Sequence, residues 1–260
     1  MYPRLLQLGH IAIPTYGVFT ALALIAGLMA AFFFAWRLGV DPNKVWTLCL
    51  IGISTTLVAA RLLLVFGHFD VFRQHPFWVL GLTDVHEQWA GALSGFAGVG
   101  AAALYALAEG LPLLRTLDTL APCAAVVIAI NRGGAFLGGL DYGVPAVLPW
   151  SVVYTNRIAA LWYRTPLGIA LHPVQLYDAG VSVGILVFLL WWMRRGSRAG
   201  EVAGAWLFLY GFARFFLSFY YAGSEALPVP ELMAVLGVIA GGVLWLRHTK
   251  PEAAGAKAVP

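Results

Sequence analysis

Three arginines of the chain lie inside or at the end of long apolar stretches, where a permanent cation is unusual. They are Arg61, Arg132 and Arg214. An arginine at the centre of a membrane-spanning helix costs on the order of 3 kcal/mol. Because its guanidinium does not release its proton in proteins, the chain cannot escape this cost by neutralising the charge. Each of the three therefore needs a partner group, a water-filled cavity or an anionic ligand.

The sequence leaves two explanations of these arginines open. They can pair with acids and carbonyls and so fix helix packing, or they can form an anion site. In a membrane cavity the obvious anion is a lipid phosphate, which the guanidinium fork binds through two parallel hydrogen bonds. Glycines beside Arg132 fit both explanations, because glycine admits close approach of a ligand and also close packing of helices. They are Gly133, Gly134, Gly138, Gly139 and Gly143.

A second polar group lies in LHPVQLYDAG at 171–180, where the next apolar stretch begins. It supplies the imidazole of His172, the amide of Gln175, the phenol of Tyr177 and the carboxylate of Asp178. Gln175 and Asp178 are three residues apart, so on a helix they share a face. The group suits a lipid headgroup, and it equally suits an interfacial belt with a helix cap.

A third group lies in LYGFARFFLSFYY at 209–221. Tyr210 and Arg214 are four residues apart, so a hydroxyl and a guanidinium project from the same side of a helix. The alternative interpretation is a packed core with an aromatic girdle. The three polar groups together are more specific for an anion site than any one of them.

The elements that must position these groups follow from the composition. The chain has 260 residues, of which 61% are hydrophobic and only 11% are charged, whereas soluble proteins carry about 25% charged residues. Seven stretches approach the roughly 20 apolar residues that a spanning helix needs. We therefore predict an all-α integral membrane protein with about seven transmembrane helices. The stretches lie near 14–36, 45–67, 89–108, 118–139, 172–193, 202–221 and 229–247.

We predict a single transmembrane domain over residues 1–248 and a disordered cytoplasmic tail over 249–260. The proline-containing segment 140–171 is expected to be an outer-face insertion between the fourth and fifth helices. With the N-terminus outside, the inner segments hold nine Lys and Arg residues and the outer segments hold four. Because positive residues favour the cytoplasmic side, we predict the N-terminus out and the C-terminus in.

The positive net charge of +4 does not indicate nucleic-acid binding, because no basic run interleaved with aromatic residues occurs. The two cysteines, Cys49 and Cys123, lie in apolar segments without a CxxC spacing or a nearby histidine pair. A structural zinc site would need about four close ligands. We therefore expect no nucleic-acid partner, no metal site and no cofactor.

The polar groups and their order along the chain resemble the bacterial prolipoprotein diacylglyceryl transferases. The segment 132–143 is similar to that family's signature, Arg-x-Gly-Asn-Phe-x-Asn-Gly-Glu-x-x-Gly, and the other motifs extend the resemblance over nearly the whole chain. The motifs are YG at 16–17, AAR ending at Arg61, WAGALS at 89–94, DTLAP at 118–122, RGGAFLGGLDYG at 132–143, LPWSVVY at 148–154, HPVQLYD at 172–178 and YGFAR at 210–214.

This resemblance implies a seven-helix fold with a lateral opening to the bilayer of the bacterial inner (cytoplasmic) membrane. It also implies transfer of diacylglyceryl from the anionic phospholipid phosphatidylglycerol to the lipobox cysteine of a prelipoprotein signal peptide. The reaction forms a thioether and releases glycerol phosphate. Arg132 and Arg214 would contact the phosphate, with Tyr210 beside them, and His172 completes the expected catalytic set. The expected lipid-binding residues are Arg61, Tyr16, Gly143, Gln175, Tyr177 and Asp178.

The chain departs from the family pattern at several polar positions. The signature asparagines are Ala135 and Gly138 here, the glutamate is Leu140, and the histidine proposed as the family's base aligns with Phe96. These departures keep two other functions open. One is an enzyme of the same fold with another acceptor or lipid, and the other is a non-catalytic protein that binds anionic lipid.

Three further departures concern carboxylates and their partners. Asp178 stands where the family usually has glutamate, and Ser218 and Tyr221 stand where it usually has glutamate and arginine. Candidate bases for the acceptor thiol are His172 and Asp141. Asp141 follows the lost glutamate position directly, although a one-residue shift rotates a side chain by about 100° on a helix.

Overall fold

The structure, a computed structural model, describes residues 1–8, 11–74, 88–222 and 229–248. Helices dominate this part of the chain. They are α1 (Thr15–Leu38), α2 (Pro42–Gly67), α3 (Phe69–Gln74), α4 (Gln88–Ala108), α5 (Leu113–Gly138), α6 (Arg157–Tyr163), α7 (Val174–Arg194), α8 (Glu201–Ser218) and α9 (Val229–His248).

Among the described residues, five helices are long and apolar enough to cross a membrane: α1, α2, α4, α5 and α7. The prediction of a helical membrane protein is confirmed. Helices α8 and α9 occupy the positions of the sixth and seventh predicted spans, and the number seven stays a prediction. The expected disordered tail lies outside the described residues.

The helix boundaries agree with the predicted spans to within a few residues except at the start of α5. This helix begins at Leu113, before the predicted start at 118. Its first turns contain Arg115 and Asp118, which lower the local hydropathy, so an apolar run underestimates the helix there.

Two short pairs of antiparallel strands accompany the helices, although the sequence did not predict them. Strands β1 (Arg4–Leu8) and β2 (Ile11–Pro14) precede α1, and strands β3 (Val152–Val153) and β4 (Ala170–Leu171) flank α6 within the 140–171 insertion. The insertion therefore has secondary structure of its own.

The chain forms two compact units. The unit over Ala31–Thr116 contains α2 and α4, which pack through small residues. A Cβ added to Gly98 would lie 2.6 Å from the carbonyl oxygen of Gly52. Such contacts between backbones are typical of membrane helices, where small residues let dispersion forces act at short range. An exposed ion pair in this unit joins Lys44 Nζ to Glu109 Oε2 at 3.0 Å.

The unit over Met1–Ala30 and Leu117–Pro260 contains the candidate site. Helices α8 and α9 pack closely in it, because a Cβ added to Gly211 would lie 2.7 Å from the carbonyl oxygen of Ala234. On the other side of α8, buried side chains of α7 and α8 form an apolar core with Ala121 of α5. These contacts fix α8 beside both α7 and α9.

Asp118 of α5 caps the first turn of α8. Its carboxylate accepts hydrogen bonds from the backbone N–H groups of Gly200 (2.7 Å) and Ala203 (2.9 Å), and it is fully buried. Gly200, the residue before α8, has no side chain with which to cap the helix. A carboxylate at a helix N-terminus satisfies donors that lack an intrahelical acceptor and complements the helix dipole. Asp118 therefore fixes the start of α8 against α5.

We expect Asp118→Ala to lower the stability of the protein strongly. The substitution leaves two buried N–H donors without this acceptor, and each such loss costs about 1–3 kcal/mol. Thermal unfolding of the purified protein in detergent measures the effect. The matched control is Asp41→Ala, which removes the exposed carboxylate that caps α2. Equal melting temperatures for the two variants would contradict the assigned role of Asp118.

Candidate active site

Arg132 lies near the C-terminal end of α5 and binds two carboxylates. Its Nε lies 2.9 Å from Asp178 Oδ2, and its Nη1 lies 2.6 Å from Asp141 Oδ2. The Arg132 side chain is 18% exposed. The arginine in the apolar stretch thus has acidic partners from both α7 and the loop after α5.

Asp178 is the central acid of the site. It lies in the second turn of α7 and is fully buried. Its Oδ2 lies 2.9 Å from Nε of Arg132 and accepts a hydrogen bond from the hydroxyl of Tyr221 at 3.3 Å. The same oxygen lies 3.7 Å from Nη1 of Arg214. Arg132 and Arg214 therefore share one carboxylate, which holds the guanidinium groups of two helices close together.

Arg214 is held less tightly than Arg132. Its Nη1 is buried and has no hydrogen-bond acceptor among the described residues, because 3.7 Å exceeds the length of a hydrogen bond. The ring of Tyr221 lies 4.3 Å from Cζ of Arg214 and 5.9 Å from Cζ of Arg132. An aromatic face attracts cations within about 6 Å. Arg214 therefore retains a donor that the described residues leave without an acceptor.

A groove between α8 and α9 extends to Arg214. Its volume is about 270 Å³, and its walls include Trp206, Tyr210 and Gly237. The rings of Trp206 and Tyr210 stack with their centroids 5.5 Å apart. Arg214 is the charged residue of an otherwise largely apolar wall. The structure thus places Tyr210 and Arg214 on the same side of α8, as their spacing predicts.

His172 and Tyr177 form a second polar group with Trp150 of the insertion. His172 Nδ1 lies 3.4 Å from the hydroxyl oxygen of Tyr177, which also accepts a hydrogen bond from Trp150 Nε1 at 2.7 Å. The imidazole packs edge-on against Tyr220, with centroids 5.1 Å apart. These contacts orient the imidazole between α7 and the segment after α8.

Gly143 connects the two polar groups through the backbone. It pairs with Tyr221 in an isolated antiparallel bridge. A Cβ at this position would lie 2.6 Å from the carbonyl oxygen of His172 and 2.8 Å from that of Tyr220. Only glycine allows three backbone segments to meet so closely. Gly143 therefore holds the loop that carries Asp141 against the start of α7 and the end of α8.

Gln175 lies wholly inside the protein. Its Nε2 donates to the carbonyl oxygen of Leu140 and, at 3.2 Å, to the hydroxyl of Tyr154. Burial raises the pKa of Tyr154 above its usual value, so this hydroxyl stays protonated. Gln175 has no exposed surface. In the structure Gln175 fixes the backbone of Leu140, and its expected contact with the lipid stays a prediction.

Two further expected residues, Tyr16 and Arg61, belong to different compact units. Tyr16 is in the first turn of α1 and lies against the end of α5, where a Cβ added to Gly138 would be 3.5 Å from the Tyr16 Cβ. Arg61 belongs to the other compact unit, where its Cζ lies 5.6 Å from the ring of Phe72. Phe96, at the position of the family's histidine, is exposed on α4 of the same unit.

The departures from the signature are apolar and packed. Ala135 is fully buried, Leu140 is 9% exposed, and a Cβ on Gly138 would lie 2.9 Å from Leu140 Cδ1. An asparagine at position 138 therefore has no room unless Leu140 moves. The polar groups that the family has here are absent rather than displaced within α5.

Asp141 reaches Arg132 because the chain has left the helix. Helix α5 ends at Gly138, Gly139 has a φ of 90°, and Asp141 itself has the left-handed φ of 51°. The rotation of 100° per residue applies only within a helix, so it does not separate Asp141 from Arg132. Asparagine and aspartate adopt this backbone region more readily than other non-glycine residues. This backbone conformation places the Asp141 carboxylate on Arg132.

Tyr221 is the site residue that sequence reasoning missed, because it was treated only as a departure from the family pattern. It lies beyond the end of α8, where helical spacing no longer predicts which way a side chain points. Its position depends on pairing with Gly143. No short-range signal in the sequence indicates this pairing.

This arrangement can hold an anion, since two guanidinium groups converge and one keeps an unused donor. Known proteins are similar to the chain over nearly its whole length. The family model described as prolipoprotein diacylglyceryl transferase matches residues 3–247. Proteins named phosphatidylglycerol–prolipoprotein diacylglyceryl transferase are similar over most of their length. One from Idiomarina loihiensis is 30% identical over 93% of this chain and 91% of its own.

Two further relatives carry the same name. The protein from Methylibium petroleiphilum is 29% identical over 94% of this chain and 95% of its own. That from Clostridium tetani is 26% identical over 84% of this chain and 85% of its own. Because the family model matches nearly the whole chain, the chain belongs to the prolipoprotein diacylglyceryl transferase family.

Proposed function

We propose that this protein transfers diacylglyceryl from phosphatidylglycerol to the lipobox cysteine of a prelipoprotein. The observation that carries the proposal is the pair of guanidinium groups, Arg132 and Arg214, which come from different helices and share Asp178. Arg132, Arg214 and Asp178 by themselves carry one positive charge, which matches a phosphodiester, and the ion pair of Arg132 with Asp141 balances it. Family membership and the names of the relatives support the same reaction.

The chemistry that this pair would support is the departure of glycerol phosphate. The acceptor sulfur forms a bond to the diacylglyceryl carbon while the bond from that carbon to the phosphate oxygen breaks. Negative charge then grows on the phosphate, and hydrogen bonds from Arg132 and Arg214 stabilise it. Such preorganised donors often supply the largest electrostatic contribution to catalysis. We assign Tyr210, which lines the groove next to Arg214, to positioning the lipid.

The thiol must lose its proton during this step, and His172 is the base that we propose. We assign Asp141, the other candidate, to Arg132, with which it forms an ion pair. Tyr177 and Tyr220 orient the imidazole, and the transferred proton would reside on it. Gly143 and Gln175 would act by positioning the surrounding backbone. Direct contact of a lipid with Tyr16, Tyr177 or Arg61 remains a proposal from the sequence.

The groove between α8 and α9 would hold an acyl chain of the donor lipid. Trp206 and Arg214 are eight residues apart, so the groove follows α8 for about 12 Å. With the N-terminus out and the C-terminus in, α8 would run outward, and Arg214 would lie nearer the outer surface than Trp206. A lipid of the outer leaflet has the same polarity, with its headgroup outside and its chains toward the midplane.

This orientation also defines where we propose that the acceptor binds. The 140–171 insertion would lie on the periplasmic face of the bacterial inner membrane, within one transmembrane domain over residues 1–248. A prelipoprotein signal peptide would present its lipobox cysteine beside the insertion, next to His172. Protease accessibility of tags placed at the two termini tests this topology in spheroplasts.

Binding of anionic lipid without turnover is a second candidate function. It is favoured by the buried, apolar Ala135 and Leu140 at two polar positions of the family signature. Reconstitution with phosphatidylglycerol and a lipobox peptide separates the two functions. Thioether formation supports the transferase, whereas retained lipid without product supports the binding protein.

We expect Arg132→Lys and Arg214→Lys each to lower the rate of thioether formation by about 10²-fold, as does loss of one donor that stabilises a developing anion. Lysine keeps the charge but cannot donate a bidentate pair. Product is measured by mass spectrometry of the acceptor peptide. The matched control is Arg195→Lys, since Arg195 also lies over an aromatic ring, 3.8 Å from Trp191, at the end of α7. Unchanged rates in both site variants would refute the phosphate assignment.

We expect Gly237→Leu to raise the KM for long-chain phosphatidylglycerol about fivefold or more and to affect dihexanoyl phosphatidylglycerol less. The new side chain would fill the groove, and its Cβ fits, because the nearest atom is the Leu207 carbonyl oxygen at 3.4 Å. Gly242→Leu on the same helix is the control, because Gly242 does not line the groove. An equal effect on both lipids would contradict an acyl-chain site.

A further inference from the structure

The arginine pair is electrically balanced before any ligand binds. Arg132 and Arg214 contribute two positive charges, and Asp178 and Asp141 contribute two negative charges. A neutral cluster offers no net attraction to a phosphodiester. A net charge of +1 becomes available only when one of the carboxylates leaves.

The two carboxylates differ in how easily they can leave. Asp178 is fully buried inside α7 and is shared by Arg132, Arg214 and Tyr221, so its removal would leave buried charge unpaired. Asp141 has a 50% exposed side chain on the loop after α5. It can turn into water more easily than Asp178, because half of its side chain is already exposed to solvent.

Asp141 also binds a guanidinium nitrogen of Arg132 that a bidentate phosphate would use. Asp178 takes Nε of Arg132, which leaves the two terminal nitrogens for a bidentate ligand. Asp141 binds one of these, Nη1, at 2.6 Å. A phosphate and the Asp141 carboxylate therefore compete for the same edge of the guanidinium.

We infer that Asp141 is an exchangeable counter-ion, which holds Arg132 in the empty site and is displaced by the phosphate of the incoming lipid. This inference rests on the proposed function, since it needs an anionic lipid at Arg132. Competition from Asp141 weakens the binding of lipid, because only those molecules in which Asp141 has left Arg132 can bind the phosphate. If Asp141 is bound to Arg132 about nine-tenths of the time, the affinity is lowered about tenfold.

The test is the affinity of purified full-length protein for dioleoyl phosphatidylglycerol, measured by native mass spectrometry, together with KM and kcat for transfer. Asp141→Asn removes the charge and keeps a residue that tolerates the left-handed backbone. We expect its Kd and KM to fall about five- to tenfold, and Asp141→Glu to restore wild-type values. The control Glu109→Gln removes another exposed carboxylate from its ion pair with Lys44 and should change neither.

Unchanged or weaker lipid binding in Asp141→Asn would overturn the exchange. A fall in kcat at constant KM would also overturn it, because that result identifies Asp141 as the base. Equal lipid affinity of wild type and Arg132→Lys would instead refute the phosphate site and the exchange with it. The melting temperature of each variant shows whether it is folded.

Discussion

The shared carboxylate of Asp178 is the contact on which the rest of the site depends. Two permanent cations, Arg132 and Arg214, lie close together in a largely buried site, and their mutual repulsion is strong where water is scarce. One fully buried carboxylate between them reduces this repulsion and lets the two guanidinium groups approach each other. Without it, neither helix could present its arginine to a common ligand.

The architecture around Asp178 limits the freedom of each helix that contributes to the pair. Asp118 ties the start of α8 to α5, and close backbone contact ties α8 to α9. Gly143 brings the loop after α5 against the start of α7 and the end of α8. The same loop carries Asp141. One short segment therefore contains both Gly143, which packs against two other backbone segments, and the acid that we propose to be exchangeable.

The sequence predicts the helices and the arginine pair because both depend on local properties. Apolar runs of spanning length indicate helices, and a buried cation that cannot lose its proton must have a partner. The remaining features depend on long-range packing. Asp118 caps a helix that begins more than 80 residues later in the chain, and Tyr221 reaches the arginines only through pairing with Gly143. The groove exists only once α8 and α9 have packed. Asp141 depends on a left-handed backbone that apolar periodicity does not encode.

The central claim is that one lipid phosphate contacts both guanidinium groups. Solid-state NMR of the protein with arginine labelled by ¹⁵N, reconstituted with phosphatidylglycerol, measures it through dipolar coupling between ³¹P and the guanidinium nitrogens. Hydrogen-bonded phosphate and guanidinium place phosphorus and nitrogen about 4 Å apart. We expect one phosphorus resonance to couple to both Arg132 and Arg214, which are assigned by substituting each in turn. Coupling to only one of them, or to neither, would contradict it.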